Sequence, residues 1–184
     1  DPIVTKNKTN KFDLSKPQKS IGKMGAFHGN FGALVRAYSY IRTLGKEGIN
    51  NISEDAVINA NYLRIKLKDT LDLPYDRICS HEVVFSAKTI KEKYGVNALD
   101  IAKRLIDYDI HPPTMYFPLI VDEALLVEPT ETESKETLDE FIEVMKVICD
   151  EAKTNPDLLH NAPHNTPNTR LNEALAARNP KLNW

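Results

Sequence analysis

Between positions 109 and 133 the chain reads DIHPPTMYFPLIVDEALLVEPTETE, and residue types able to do chemistry gather there. His111, Thr114, Glu128, Thr130 and Glu131 bring an imidazole, two hydroxyls and two carboxylates, the groups from which proton-transfer and hydrogen-bonding sites are made. Pro112, Pro113, Pro118 and Pro129 stop a helix from running through the stretch. Two short apolar runs, 115–117 and 124–127, read as strands between those stops, which puts the polar groups at strand ends, where sites are commonly built. His111 stands at a helix-to-strand corner between a helix end and two prolines. An imidazole there serves either as a structural hydrogen-bonding group or as a general acid or base, and its neighbours leave both readings open.

Little else in the chain has catalytic spacing. There is no Ser-His-Asp signature, H-E-x-x-H, C-x-x-C, P-loop or G-x-G-x-x-G pattern. The five histidines, at 28, 81, 111, 160 and 164, form no metal-ligand pair on a helix, since Pro163 separates His160 from His164. His81 and Glu82 open a predicted strand over 81–86, where neighbours point to opposite faces, which argues against a direct dyad. The three glycines of GAFHGNFG (25–32) read as an eased helix start, with His28 an exposed or capping histidine. Cys79 and Cys149 have no ligand spacing, which sets the cytoplasm as the expected compartment.

The elements that must position these groups follow from periodicity. Residues 2–15 read as a hairpin and 15–24 as a polar linker. A helix is predicted from about Asn30 to Leu44, with apolar positions Phe31, Leu34, Val35, Tyr38 and Ile41 and a stop at Gly45. A second is predicted from cap Ser53 to about Leu71; Asn59 and Asn61, about 200° apart on it, read as one solvent amide and one interface amide. A basic loop is expected over 88–93. Asn97 caps the next helix, with Asp100 completing a capping box. After the two strands, a long helix starts at Thr132 or Ser134 and runs to about Lys153. A short turn at 156–160 and a helix at 169–178 precede the lone terminal Trp184, which either packs on the body or hangs free. The order from Cys79 onward is β-α-β-β-α, an α+β arrangement with helices on one face of a small, mostly antiparallel sheet.

The chain has 184 residues, 41% apolar and 27% charged, with a net charge of −2. That balance suits a globular chain with a sizeable core and offers no basic footprint for nucleic acid. No apolar run approaches membrane-spanning length, and the N-terminus has no signal-peptide core.

Several stretches together resemble a known family. SIGKMGAFHGNFGALVRAYSYIRTLG, SEDAVINANYL, HEVVFSAK, ALDIAKRLIDYDIHPPTMYFPL, LVEPTETESKETLDEFIEVM and the tail from Ala162 are similar to the C-terminal part of glycine dehydrogenase (decarboxylating). That enzyme is the P-protein of the glycine cleavage system, and the likeness is to the second subunit of its two-subunit form. The resemblance implies a pyridoxal-phosphate enzyme of the aspartate-aminotransferase-like fold type I. It decarboxylates glycine with the cofactor as electron sink, releases carbon dioxide and passes the aminomethyl group to the lipoyl arm of the H-protein.

The family's cofactor lysine, in its glycine-rich setting, has no match here. Lys16, Lys19 and Lys23 stand in a polar linker with nothing to lower their pKa. The resemblance therefore implies a C-terminal piece, inactive and binding no pyridoxal phosphate by itself. Residues 1–24 would end a large cofactor domain, 25–72 would be connecting helices, 73–154 a small C-terminal domain and 155–184 an extension. His111, Thr114, Glu128, Thr130 and Glu131 would line a cleft facing the rest of the P-protein and its first subunit. Two alternatives stay open. One is a non-catalytic assembly module binding through an apolar face on the first two helices. The other is the small domain of another pyridoxal-phosphate enzyme, such as an aminotransferase, with Arg104 or Arg170 clamping a substrate carboxylate.

Overall fold

In the computed structural model residues 3–22 and 29–183 are described. Lys23, most of the glycine-rich stretch with His28, and Trp184 lie outside the described residues. The chain divides into two compact units, Asp1–Asn50 and Asn51–Trp184.

The first unit opens with an antiparallel hairpin of β1 (Ile3–Lys6) and β2 (Phe12–Ser15), paired from Ile3↔Ser15 to Lys6↔Phe12. Its turn is built around Asn7, whose Oδ1 accepts the N–H groups of Thr9 and Lys11, both at 3.0 Å. Asn10 takes φ 63°, a conformation that Asn tolerates better than bulky residues do. Helix α1 (Phe31–Leu67) then starts under a cap in which Asn30 Oδ1 accepts the N–H of Ala33 at 3.1 Å. The periodic apolar residues of its first part are helical as expected but exposed: Phe31 is 78% exposed, and in the hairpin Phe12 is 72% exposed.

Gly45 breaks α1 with φ 66° and ψ −171°, a left-handed φ that glycine enters without strain. The chain returns at once to helix, so the second segment starts before the expected cap at Ser53, which lies inside it. Lys46 and Glu47 favour helix intrinsically, and no competing cap interrupts them. The segment ends at Leu67, not Leu71, after burying Ala60, Leu63 and Leu67.

The second unit holds a three-stranded antiparallel sheet in the order β3-β5-β4: β3 (Val83–Ser86), β5 (Ala124–Val127) and β4 (Thr114–Met115). Val83, Phe85, Leu125 and Val127 are buried, whereas Val84 and Leu126, on alternate positions, are only half-buried. Against them pack Leu63 and Leu67, together with α3 (Ala98–Ile106) through Ile101 and Leu105 and α4 (Lys135–Thr154) through Leu138, Ile142, Met145 and Ile148. Each such side chain fully removed from water contributes about 1.5–3 kcal/mol, which makes this cluster the source of the unit's stability.

Two expected irregular segments are helices. Residues 88–93, expected as a basic loop, belong to α2 (Lys88–Tyr94). Its own N-cap, Ala87, makes no side-chain bond; its first amides are satisfied from elsewhere. Lys88 N–H donates to Ser86 Oγ at 3.1 Å and Thr89 N–H to Asp72 Oδ2 at 2.9 Å. Ile90 anchors the helix inward, and Gly95, at φ 78°, ends it. The expected turn at 156–160 is α5 (Pro156–His160), started by proline at its first position. A last short helix, α6 (Glu173–Arg178), is capped by Asn172. The capping box of α3 forms as read: Asp100 N–H donates to Asn97 Oδ1 at 2.9 Å and Asn97 N–H to Asp100 Oδ2 at 3.0 Å. Of the two candidate caps of α4, Ser134 serves.

Candidate functional site

Because β3 and β4 both run antiparallel to β5, their N-terminal ends lie beside the C-terminal end of β5. That one sheet end collects residues 81–82, 111–113 and 128–130. There His81 Nε2 stands 3.7 Å from Glu128 Oε1 and 4.0 Å from Glu82 Oε2. This corrects the expectation that His81 and Glu82 face apart. Strand pairing begins only at Val83, so the two residues sit outside the alternation that would have separated them.

Beside this rim lies a cavity of about 460 Å³. His111, Glu128 and Pro129 line it with Asp109, Glu133 and Glu140, over a floor that includes Leu63, Val127 and Leu138. His111, Glu128, Glu133 and Glu140 are exposed, and the three floor residues are buried. Asp109 takes φ 59° where the chain leaves α3, which turns the backbone toward the proline pair.

Of the five sequence-predicted rim residues, the structure brings His111 and Glu128 to one cavity. Thr114 is exposed in β4, paired with Leu126, and is not among the cavity-lining residues. Thr130 Oγ1 lies 2.7 Å from Thr132 Oγ1, and the Thr130 carbonyl accepts Glu133 N–H at 3.2 Å. Glu131 is half-buried in the same turn. Neither Thr130 nor Glu131 lines the cavity.

Both mid-helix amides of α1 serve this end, which corrects the reading of one as a solvent group. Asn59 Nδ2 donates to the Thr130 carbonyl at 2.9 Å. Asn61 Nδ2 donates to the Cys79 carbonyl at 2.8 Å, and Cys79 N–H donates back to Asn61 Oδ1 at 3.1 Å. Their angular separation lets them reach loops on two sides of the helix. One clamp lies two residues after Glu128 and the other two residues before His81. Two such polar residues in mid-helix, unfavourable by propensity, were the signal for those contacts.

Arg104 and Arg170 are held by protein carboxylates. Arg104 bonds Glu151 through Nε at 2.9 Å and Nη2 at 2.8 Å, bonds Asp107 at 3.0 Å and stacks over the Tyr108 ring at 4.9 Å. The Arg104 guanidinium, opposed by burial, holds the Glu151 carboxyl below the usual range. Burial pushes Asp107 up, but N–H groups of Asn165 and His164 together with Arg104 outweigh it and leave that carboxyl lowered. Arg170 reaches Asp100 Oδ1 at 2.7 Å and the Leu159 carbonyl at 2.8 Å, while His160 Nδ1 lies 3.2 Å from Asp100 Oδ2. These contacts tie 155–170 to α3 and leave neither arginine at the cavity.

Among the described residues no group of three His, Cys, Asp or Glu side chains has metal-binding geometry, and no helix is long and apolar enough to cross a membrane. Nor do the residues fit pyridoxal phosphate. Carboxylates ring the cavity, no described lining residue is Lys or Arg, and Lys16 and Lys19 are exposed on the linker. A phosphate there would meet like charge.

The sequence model of one family, described as glycine dehydrogenase, C-terminal domain, matches residues 52–167. A relative in Thermotoga maritima, named probable glycine dehydrogenase (decarboxylating) subunit 2, is 52% identical over 183 residues, 100% of this chain and 38% of its own length. A protein of the same name in Caldanaerobacter subterraneus subsp. tengcongensis is 58% identical over 94% of this chain and 35% of its own. Another in Listeria innocua is 53% identical over 100% of this chain and 37% of its own. The chain thus spans well under half the length of the curated relatives it matches.

Proposed function

The chain belongs to the glycine dehydrogenase C-terminal domain family, and from that membership we propose that it serves as the closing part of a cytoplasmic, glycine-decarboxylating second subunit. In this reading the parent enzyme takes glycine, releases carbon dioxide and hands the aminomethyl group to the lipoyl arm of the H-protein. Pyridoxal phosphate, held by other parts of a fold-type-I enzyme, supplies the electron sink. The residues here offer that cofactor no cradle, so no chemical step is assigned to them through it. Their contribution is the rim: His111 and Glu128, with His81 beside them, face the remaining protein of the enzyme from a small domain. The alternating residues of β3 and β5 and the amides of Asn59 and Asn61 hold that rim in place.

The observation that carries the reading is the uncovered apolar surface of the first unit. Ile3, Val4, Phe12, Leu14, Phe31 and Tyr38 are all at least half exposed. Apolar side chains exposed on that scale mark surfaces built to be covered by other protein, here by the remaining polypeptide of the subunit and by its first-subunit partner. The same exposure favours a second reading, an assembly module without catalytic duty.

The test is exchange of labelled bicarbonate with the carboxyl of glycine, in the presence of pyridoxal phosphate and lipoylated H-protein. The 184-residue chain alone should give none, and the complete second subunit with the first subunit should give exchange that falls on His111→Ala or Glu128→Gln. Exchange by the chain alone overturns the reading. Full exchange by both variants assigns the chain to assembly.

A further inference from the structure

The cavity at the sheet end has a charge pattern at odds with the anions of the proposed parent reaction. Asp109, Glu128, Glu133 and Glu140 stand around it, and no described lining residue carries a fixed positive charge. A free carboxylate or a phosphate would be repelled, and the repulsion grows as water is excluded from the mouth. The arrangement has a direction as well. The apolar residues Leu63, Val127 and Leu138 lie buried at the bottom, between 1% and 7% exposed, and the acidic side chains are exposed at the edge. A ligand matching it puts an apolar group in first and keeps positive charge outside.

We propose that this cavity is the docking site for a basic amphipathic segment of a protein partner. One large apolar side chain fills the cavity, and flanking lysines or arginines pair with the acidic edge. The volume, about 460 Å³, accommodates a Phe or Leu anchor with its backbone. The division of labour is that of protein interfaces, with an apolar anchor in a pocket and charges at the rim that set specificity and rate. Charge complementarity selects a basic segment over an acidic one, and the depth of the apolar floor selects a segment over a simple polycation. The proposal rests on the reading that this rim faces another protein. It is independent of which reaction the assembled enzyme performs.

The probe is the capped hexapeptide Lys-Lys-Phe-Leu-Lys-Lys, added to the isotopically labelled chain and followed by amide chemical shifts. Saturable shifts at Ile110, Val127 and Phe141 are expected. The analogue Glu-Glu-Phe-Leu-Glu-Glu should give none, and Lys-Lys-Gly-Gly-Lys-Lys should bind roughly tenfold more weakly for lack of an anchor. Glu133→Gln combined with Glu140→Gln, both on exposed cavity-lining side chains outside the His111–Glu128 rim and unchanged in thermal melt, should weaken the peptide about fivefold. Equal binding of the acidic analogue or of the glycine analogue, or no saturable shifts, overturns the proposal. So does saturation by n-hexylamine where the peptide fails, which assigns the cavity to a small amine. Glycine exchange by the assembled enzyme is a separate readout, so docking and the parent activity can fail independently.

Discussion

Asn61→Ala tests whether the helix amides hold the functional sheet end. Asn61 closes a two-way bond with the Cys79 backbone, giving at 2.8 Å and receiving at 3.1 Å. Each bond contributes about 1 kcal/mol net, so removing both costs about 2 kcal/mol, less where water reaches the half-buried loop. Alanine recovers about 0.5 kcal/mol of helix propensity, leaving a loss of about 1.5 kcal/mol. In a chain of this size that lowers the melting temperature by about 3–6 °C. The control is Asn51→Ala, the same change at an exposed position of the same helix, which should stabilise by about 0.5 kcal/mol. Urea unfolding followed by far-ultraviolet dichroism gives the two values, whose difference reports the Asn61 contacts together, the Arg64 Nε bond to its Oδ1 at 3.2 Å included. Hydrogen exchange supplies the local readout: the Cys79 amide should speed up in Asn61→Ala and not in the control. Equal stability of the two variants, with Cys79 exchange unchanged, would refute the reasoning.

Asp100→Ala removes the capping-box carboxylate and the anchor of Arg170 together; a loss of about 2–4 kcal/mol is expected, with limited proteolysis appearing in 161–183 before global unfolding. Asp107 and Glu151 have lowered pKa values in the fold. The stability they contribute is therefore complete above their unfolded values near pH 4 and is lost as pH falls through the lower folded values. Urea midpoints taken from pH 6 to pH 3 should fall less steeply in Glu151→Gln. Burial pushes the Cys149 thiol up to about 12, which leaves about one thiolate in ten thousand at pH 8. Burial raises the Cys79 thiol as well but less, and that side chain is half-buried, so Ellman's reagent should label Cys79 ahead of Cys149 in the native chain and both after denaturation.

Features with local causes were legible in the sequence. The capping box at Asn97 and Asp100, the cap of α4 at one of two neighbouring hydroxyls, the turn of the hairpin and the break, though not the end, of the first helix at Gly45 each follow from residues within a few positions of one another. What escaped depends on groups far along the chain. Helix α2 starts with no cap at Ala87 because its first amides are taken by Ser86 and by Asp72, the latter 17 positions before Thr89. The approach of His81 to Glu128 depends on where pairing with β5 begins, which alternation within 81–86 could not reveal. Arg104 and Arg170, offered as clamps for a substrate carboxylate, are matched by Glu151 and Asp100 at separations of 47 and 70 residues. For the rim, proline punctuation located the stretch. Which of its polar residues share the cavity was decided by packing against α1 and α4.

The double duty of Asp100 also sets an order in time. Its bonds to Asn97 span three residues, whereas those to His160 and Arg170 span 60 and 70. Closing loops of that length costs entropy that a three-residue turn does not, so the cap can form in a nascent helix long before the tail arrives. The carboxylate then waits as a preformed receptor, and Arg170 behaves as a latch thrown after the main barrier. Arg170→Ala should leave the folding rate almost unchanged and speed unfolding, so the tail governs how long the fold lasts rather than how fast it is made.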